Sequence, residues 1–202
     1  MIAREIKILE QIIERCPGKG MKGDHLMFMP RKCILFLFIL ILPFLLSACS
    51  HVVYPRGPIP VGMDKVGRID THQEISLINK VAESKLTLAA VQGYDKFLVD
   101  YKHWTDLIVD QLKTELAKRG VQVKPQGDHT FNISTTNIRY FWGAWAVRCI
   151  VNVRVERSDG AWSKEYEGNN AGHQINRATD GAVHKVVAEI IGDYGFTKAL
   201  QE

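Results

Sequence analysis

The chain has 202 residues, of which 46% are hydrophobic and 24% charged, and its formal net charge is +4. Most of that charge lies ahead of residue 49. Residues 1–48 hold seven basic groups (Arg4, Lys7, Arg15, Lys19, Lys22, Arg31, Lys32) and four acidic ones (Glu5, Glu10, Glu14, Asp24), which leaves +1 for the rest. A near-neutral domain has no electrostatic footprint for nucleic acid, so that class of partner is excluded.

The first 26 residues precede any normal targeting segment. Ile2, Ile6, Leu9 and Ile13 are spaced like one face of a helix. The stretch reads as a start-site over-call, with Met27 or Met29 as the true start, or else as an unusually long leader. Either way it is set aside from fold reasoning. Arg31 and Lys32 then supply a short positive region, and Cys33 to Leu46 is almost wholly apolar over 14 positions. A membrane-spanning helix needs about 20 apolar residues and a signal-peptide core about 7–15. Pro43 disfavours helix near the end of the run, where a peptidase needs extended chain.

The run closes on Leu46-Ser47-Ala48-Cys49. This is similar to the bacterial lipoprotein signal, whose box is Leu, a small residue, Ala or Gly, then Cys. The resemblance implies that the Cys49 thiol receives a diacylglyceryl group, that the bond before it is cut, and that the new amine is acylated. These covalent groups are the only cofactor-like chemistry expected. One acyl chain holds a protein marginally, whereas two or more anchor it stably. The competing reading is an uncleaved signal anchor with an incidental cysteine. Ser50 follows the Cys, and in enteric-type bacteria Asp at that position favours inner-membrane retention. The resemblance therefore implies a protein lipid-anchored in the outer membrane and facing the periplasm. Removing 48 of 202 residues leaves 154, enough for one domain with a real core. Cys16 and Cys33 leave with the signal and Cys49 is lipidated, so Cys149 has no partner for an intramolecular disulfide.

Three segments follow: leader and signal over 1–48, a lipidated N-terminus and flexible tether over 49–70, and an α+β domain over 71–202. Pro55, Pro58, Pro60, Gly57 and Gly62 favour extended, mobile chain in the tether. Ile75–Asn79 and Leu86–Ala90 are short strand-like runs, and Gln92–Asp95 reads as a loop. Asp100 to Arg119 is a predicted helix. Tyr101, Trp104, Ile108, Leu112 and Leu116 make one apolar stripe, Asp100 suits the N-cap, and Gly120 suits the position after the end. Trp104 reads as a core anchor, with a ligand platform as the alternative.

Val121–Val123 begins a strand that Pro125 stops. Gly127-Asp128 turns the chain, and Phe131, Ile133 and Thr135 alternate on a strand face. Tyr140-Phe141-Trp142-Gly143-Ala144-Trp145 is an aromatic cluster around a glycine. Tyr140, Phe141, Trp142 and Trp145 form either an exposed partner surface or a strand end packed on the core. Val147, Cys149, Val151, Val153 and Val155 alternate with mainly polar residues, the pattern of a sheet with one wet face. Cys149 falls on the apolar side and reads as a buried small hydrophobe. Ser158-Asp159-Gly160 makes a hairpin turn, and Trp162, Lys164 and Tyr166 alternate on the return strand. Gly168-Asn169-Asn170 closes it. A second helix runs from about Asn176 to Ile191, buried through Thr179, Ala182, Val183, Val186, Val187, Ile190 and Ile191. Gly192 ends it, and Phe196–Leu200 adds a short tail. The predicted fold is an antiparallel sheet covered on one face by two helices, a two-layer α+β sandwich.

No nucleophile elbow, P-loop, dinucleotide fingerprint or paired-His zinc helix occurs. His51, His72, His103, His129, His173 and His184 are scattered without metal-ligand spacing, and no catalytic or metal residue is assigned. Asp64 with Asp70, and Glu165 with Glu167, read as exposed charges. Asn132-Ile133-Ser134 matches a glycosylation acceptor, which a bacterial lipoprotein does not use.

Leu116-Ala117-Lys118-Arg119-Gly120-Val121, the hairpin from Arg148 to Tyr166, Gly168-Asn169-Asn170 and the Ala-rich closing helix carry a second resemblance. Over about Ile75 to Leu200 the domain resembles the small uncharacterised envelope lipoproteins of the YajG type, and in strand and helix order the N-terminal domain of TolB. That implies a non-enzymatic binding or scaffolding module with an envelope protein or glycan as partner. The alternatives are an accessory to lipid or lipopolysaccharide transport with an apolar cleft near Trp142, and an envelope hydrolase using His103 and the Gly168–His173 segment.

Overall fold

The computed structural model describes residues 49–201 except Lys65 and His72. Leu46, Ser47 and Ala48, with the whole leader, lie outside the described residues. Among the described residues the fold is mixed α+β with two sheets and three helices.

Helix α1 spans Tyr101–Lys118. It begins where Asp100 Oδ1 accepts the backbone N–H groups of Lys102 (2.9 Å) and His103 (3.3 Å), two of the donors that a helix start leaves without intrahelical acceptors. Burial raises the Asp100 carboxyl pKa, but the Ser84 hydroxyl and those N–H groups outweigh it and hold the pKa below its usual value. Trp104, Ile108, Leu112 and Leu116 are fully buried. The chain leaves the helix through Gly120, whose φ of +93° falls in the left-handed region that a side chain penalises.

The main sheet has five strands in the order β5-β2-β6-β7-β8. They are β2 (Glu74–Asn79), β5 (Gln122–Val123), β6 (His129–Trp142), β7 (Val147–Arg157) and β8 (Ser163–Gly172). β6-β7-β8 is an antiparallel meander, as expected. β2, however, runs parallel to both β5 and β6, so the sheet is mixed. The cause is the connection. α1 lies between β2 and β6 and carries the chain back to the starting end, so β6 runs in the same direction as β2.

Helix α2 (Ile175–Gly192) packs on β7 and β8, α1 packs on β2 and β6, and the two helices touch. α3 (Tyr194–Ala199) follows and buries Phe196 against Phe131 at 5.4 Å between ring centroids. The Gly168-Asn169-Asn170 segment lies inside β8 and does not close it. A Cβ on Gly168 would collide with the Ala182 carbonyl oxygen and come within 2.8 Å of Val186 Cβ, so the glycine lets α2 approach the sheet.

A second sheet has the order β1-β4-β3, with β1 (Ser50–Val52), β3 (Leu86–Gln92) and β4 (Asp95–Asp100). β3 and β4 form a hairpin whose turn contains Gly93 at φ +60°. The expected loop over Gln92–Asp95 is therefore only a tight turn. Its far side is a strand that runs straight into the α1 cap, in a stretch to which the sequence pattern assigned no element.

The proline-rich stretch expected as a mobile tether is packed. Val53, Val61 and Ile69 are buried, and residues 53–64 and 66–69 lie along α1 and α2 as a strap. Trp104 Nε1 donates to the Val53 carbonyl (2.9 Å), and Gln111 Nε2 to that of Ile59 (2.8 Å). Arg119 donates to the carbonyls of Val61 (3.1 Å) and Val66 (3.2 Å). Arg56 meets Asp180 on α2 through both its backbone N–H (2.9 Å) and its Nε (3.3 Å). Prolines remove backbone donors from this segment, and the helices supply side-chain donors to its carbonyls.

Candidate functional site

Cys49 is exposed, and its carbonyl accepts the Lys96 backbone N–H at 2.9 Å. β1 begins at the next residue and runs parallel to β4 in the register Ser50–Lys96, His51–Phe97, Val52–Leu98. Cys49 is thus held to a strand of the folded domain. His51 stacks on Phe97 (5.4 Å, 25°) and lies 3.3 Å from Asp95 Oδ1. Phe97 in turn meets Trp142 at 4.8 Å, and Trp142 meets Tyr140 at 6.2 Å. This row of rings joins β1, β4 and the end of β6. Sequence reasoning missed Lys96 and Phe97, because Asp95-Lys96-Phe97-Leu98-Val99 carries no polar–apolar alternation to mark a strand.

The aromatic cluster divides by strand parity. β6 has a bulge at Thr136, where its pairing with β7 skips one residue. The inward set changes there, from Phe131, Ile133 and Thr135 to Ile138, Tyr140 and Trp142. Tyr140 is buried, its hydroxyl 2.8 Å from Thr179 Oγ1, and burial together with nearby Cys149 pushes its pKa above the usual value. Cys149 is fully buried and its thiol is pushed up to about 12, which leaves almost no thiolate. Phe141 points the other way, with the Arg139 guanidinium 5.8 Å above its ring. Trp145 is 87% exposed in the turn closed by Gly143 N–H and the Ala146 carbonyl at 2.8 Å. Only Phe141 and Trp145 of the four aromatics are freely presented.

The polar residues considered for hydrolysis serve other contacts. Asn170 Nδ2 donates to the Arg177 carbonyl (3.1 Å), Lys185 Nζ to that of Asn169 (2.8 Å), and His173 Nδ1 lies 3.1 Å from the Trp145 carbonyl. An open cleft of about 410 Å³ runs beside them, lined by Ile59, Asn170, His173, Arg177 and Asp180. His103 lies elsewhere, edge-on to Tyr54 at 4.6 Å. Glu165 accepts from the Thr136 hydroxyl at 2.8 Å on the open face of the sheet. Among the described residues no three His, Cys, Asp or Glu side chains form a metal-binding group.

Arg119, the end of the predicted helix, is fully buried, 2.7 Å from Glu115 Oε2. Burial raises the Glu115 carboxyl pKa, but Lys118 and Arg119 outweigh it and hold the pKa below the usual value. The spacing of Glu115 and Arg119, one helical turn apart, was the available signal.

No protein-family model and no curated protein matches the chain. A solved structure described as "Crystal structure of uncharacterized protein" is similar at 12% identity, over 66% of this chain and 91% of that chain, with a TM-score of 0.26.

Proposed function

We propose that the protein is a lipoprotein held by acylated Cys49 in the outer membrane and facing the periplasm. Its domain serves there as a non-enzymatic binding or scaffolding module. The observation that carries this reading is the Leu46-Ser47-Ala48-Cys49 box at the end of a 14-position apolar run, with β1 starting one residue later. We read the domain as a two-layer α+β sandwich about the main sheet, with α1 and α2 on one face. Its other face carries exposed Arg139, Arg148, Arg154, Glu165 and Glu167. The half-exposed Phe141 and the protruding Trp145 border that face and suit an envelope protein or glycan.

Intact mass of the membrane-extracted protein tests the anchor. A chain starting at Cys49 with added acyl mass, lost in Cys49→Ala, is the expected result. An unprocessed full-length chain would mean a signal anchor, and the outer-membrane assignment would fall. Mild crosslinking in cells tests the binding role. An envelope partner recovered with wild type and depleted with Trp145→Ala supports it; recovery of no partner counts against it.

A further inference from the structure

The lipoprotein reading has a geometric consequence, because the chain leaves no slack after the anchor. The Cys49 carbonyl is hydrogen-bonded to Lys96, and Ser50 is already in β1. An extended chain advances about 3.3 Å per residue and neighbouring strands lie about 4.8 Å apart, so the whole β1-β4-β3 sheet stays within roughly 20 Å of the acylated residue.

The outward face of this sheet is apolar. Register and alternation place Val52, Leu98 and Leu88 in one cross-strand row. Ser50, Lys96 and Val91 form the adjacent row. Val52, Leu86, Leu88 and Val91 are 42–55% exposed, and Leu98 is half-buried between its neighbours. The opposite face of β4 turns Phe97 and Val99 into the protein. At the hairpin tip, two residues before Lys96, Tyr94 is 85% exposed. Tyrosine is enriched at membrane interfaces, where its ring meets the acyl boundary and its hydroxyl the headgroups. Exposed Lys85 and Lys96 add positive charge suited to anionic headgroups.

We propose that this face, with Val52, Leu88, Val91 and Tyr94, rests on the phospholipid surface into which the acyl chains of Cys49 insert. The proposal depends on the lipoprotein reading. Lipid is the occupant that the geometry favours, since another protein would have to enter between the sheet and a membrane that Cys49 keeps close. The acyl chains hold the protein at the bilayer, and the sheet sets its orientation, turning the other end of the main sheet toward the periplasm.

The test uses the full chain expressed in a Gram-negative host, extracted from membranes, and reconstituted into vesicles of phosphatidylethanolamine with phosphatidylglycerol. Leu88→Cys and, as a control at the β7–β8 turn, Ala161→Cys carry a nitroxide label; Cys149 is buried and stays unlabelled. Intact mass of each preparation reports acylation separately. On an acylated protein, the label at 88 is expected to lose nickel-chelate accessibility severalfold and gain oxygen accessibility, while the label at 161 stays water-accessible. Equal nickel accessibility at both sites would overturn the proposal while leaving the lipoprotein reading intact. Protection at 88 from both reagents, with label–label broadening, would overturn it in favour of a second copy. An unacylated chain would overturn both.

Discussion

The strap and the small sheet show opposite relations between composition and order. Residues 53–69 have the prolines and glycines of a free linker, yet their carbonyls accept from Trp104, Gln111 and Arg119, and Val53, Pro55, Val61 and Ile69 are buried. The β1-β4-β3 sheet is paired in the register of an ordinary strand set, yet leaves Val52, Leu86, Leu88 and Val91 open to solvent. Order in a linker-like segment comes from donors elsewhere in the chain. Burial of a strand face depends on what covers it, and in this protein the outer face of the small sheet has no cover from the described residues.

The contrast breaks most sharply at Arg119. Arg119→Met removes donors to the Val61 and Val66 carbonyls and leaves the buried Glu115 carboxylate without its guanidinium. We expect a loss of about 3–5 kcal/mol in urea unfolding, with new protease cleavage in residues 53–69, and partial recovery when Glu115→Gln is added. An unchanged urea midpoint would mean that the strap is held by packing alone. A narrower test is Trp104→Phe, which keeps the ring in the core but deprives the Val53 carbonyl of its donor. It should cost about 1–3 kcal/mol. Fast amide exchange confined to the segment around Val53 would separate strap release from general loosening.

Acid acts on the same lock. The Glu115 carboxyl lies below its ordinary value in the folded chain. Its stabilising contribution is therefore complete above the unfolded value of about 4.3, and it disappears as pH falls through the lower folded value. The urea midpoint of wild type should drop below about pH 4, and that drop should be smaller in Arg119→Met, where the guanidinium that favours the charged form is missing. At the open sheet the response should be smallest. Leu88→Ser, on the exposed face, should change stability by no more than about 0.5 kcal/mol in detergent or buffer. A loss of several kcal/mol would show that this face is already covered within the chain.

The local elements were legible because their signals are local. The apolar stripe from Trp104 to Leu116, with Asp100 before it and Gly120 after it, specifies α1 to within a residue of the observed Tyr101–Lys118. Alternation from Val147 to Val155 specifies β7, and the Thr179-to-Ile191 pattern specifies α2. For the site, only Cys49 and the aromatic run were legible. The bulge at Thr136, which sends Tyr140 and Trp142 inward and Phe141 outward, leaves no periodic trace because it shifts the alternation by one.

By itself, the sequence determined where α1, α2 and β7 lie, which of their side chains prefer the interior, and that Leu46 to Cys49 match a lipoprotein box. Hydrophobic period and capping act within a few residues, so they can be read without knowing the fold. Only the tertiary structure decided that β2 runs parallel to β6, that β4 exists at all, and that the prolines form a strap. It also decided that Cys49 is bonded to β4, the central strand of the small sheet. Each of these rests on hydrogen bonds between residues tens of positions apart, such as Cys49 with Lys96 and Val61 with Arg119, and no local pattern encodes which distant donor will meet which acceptor.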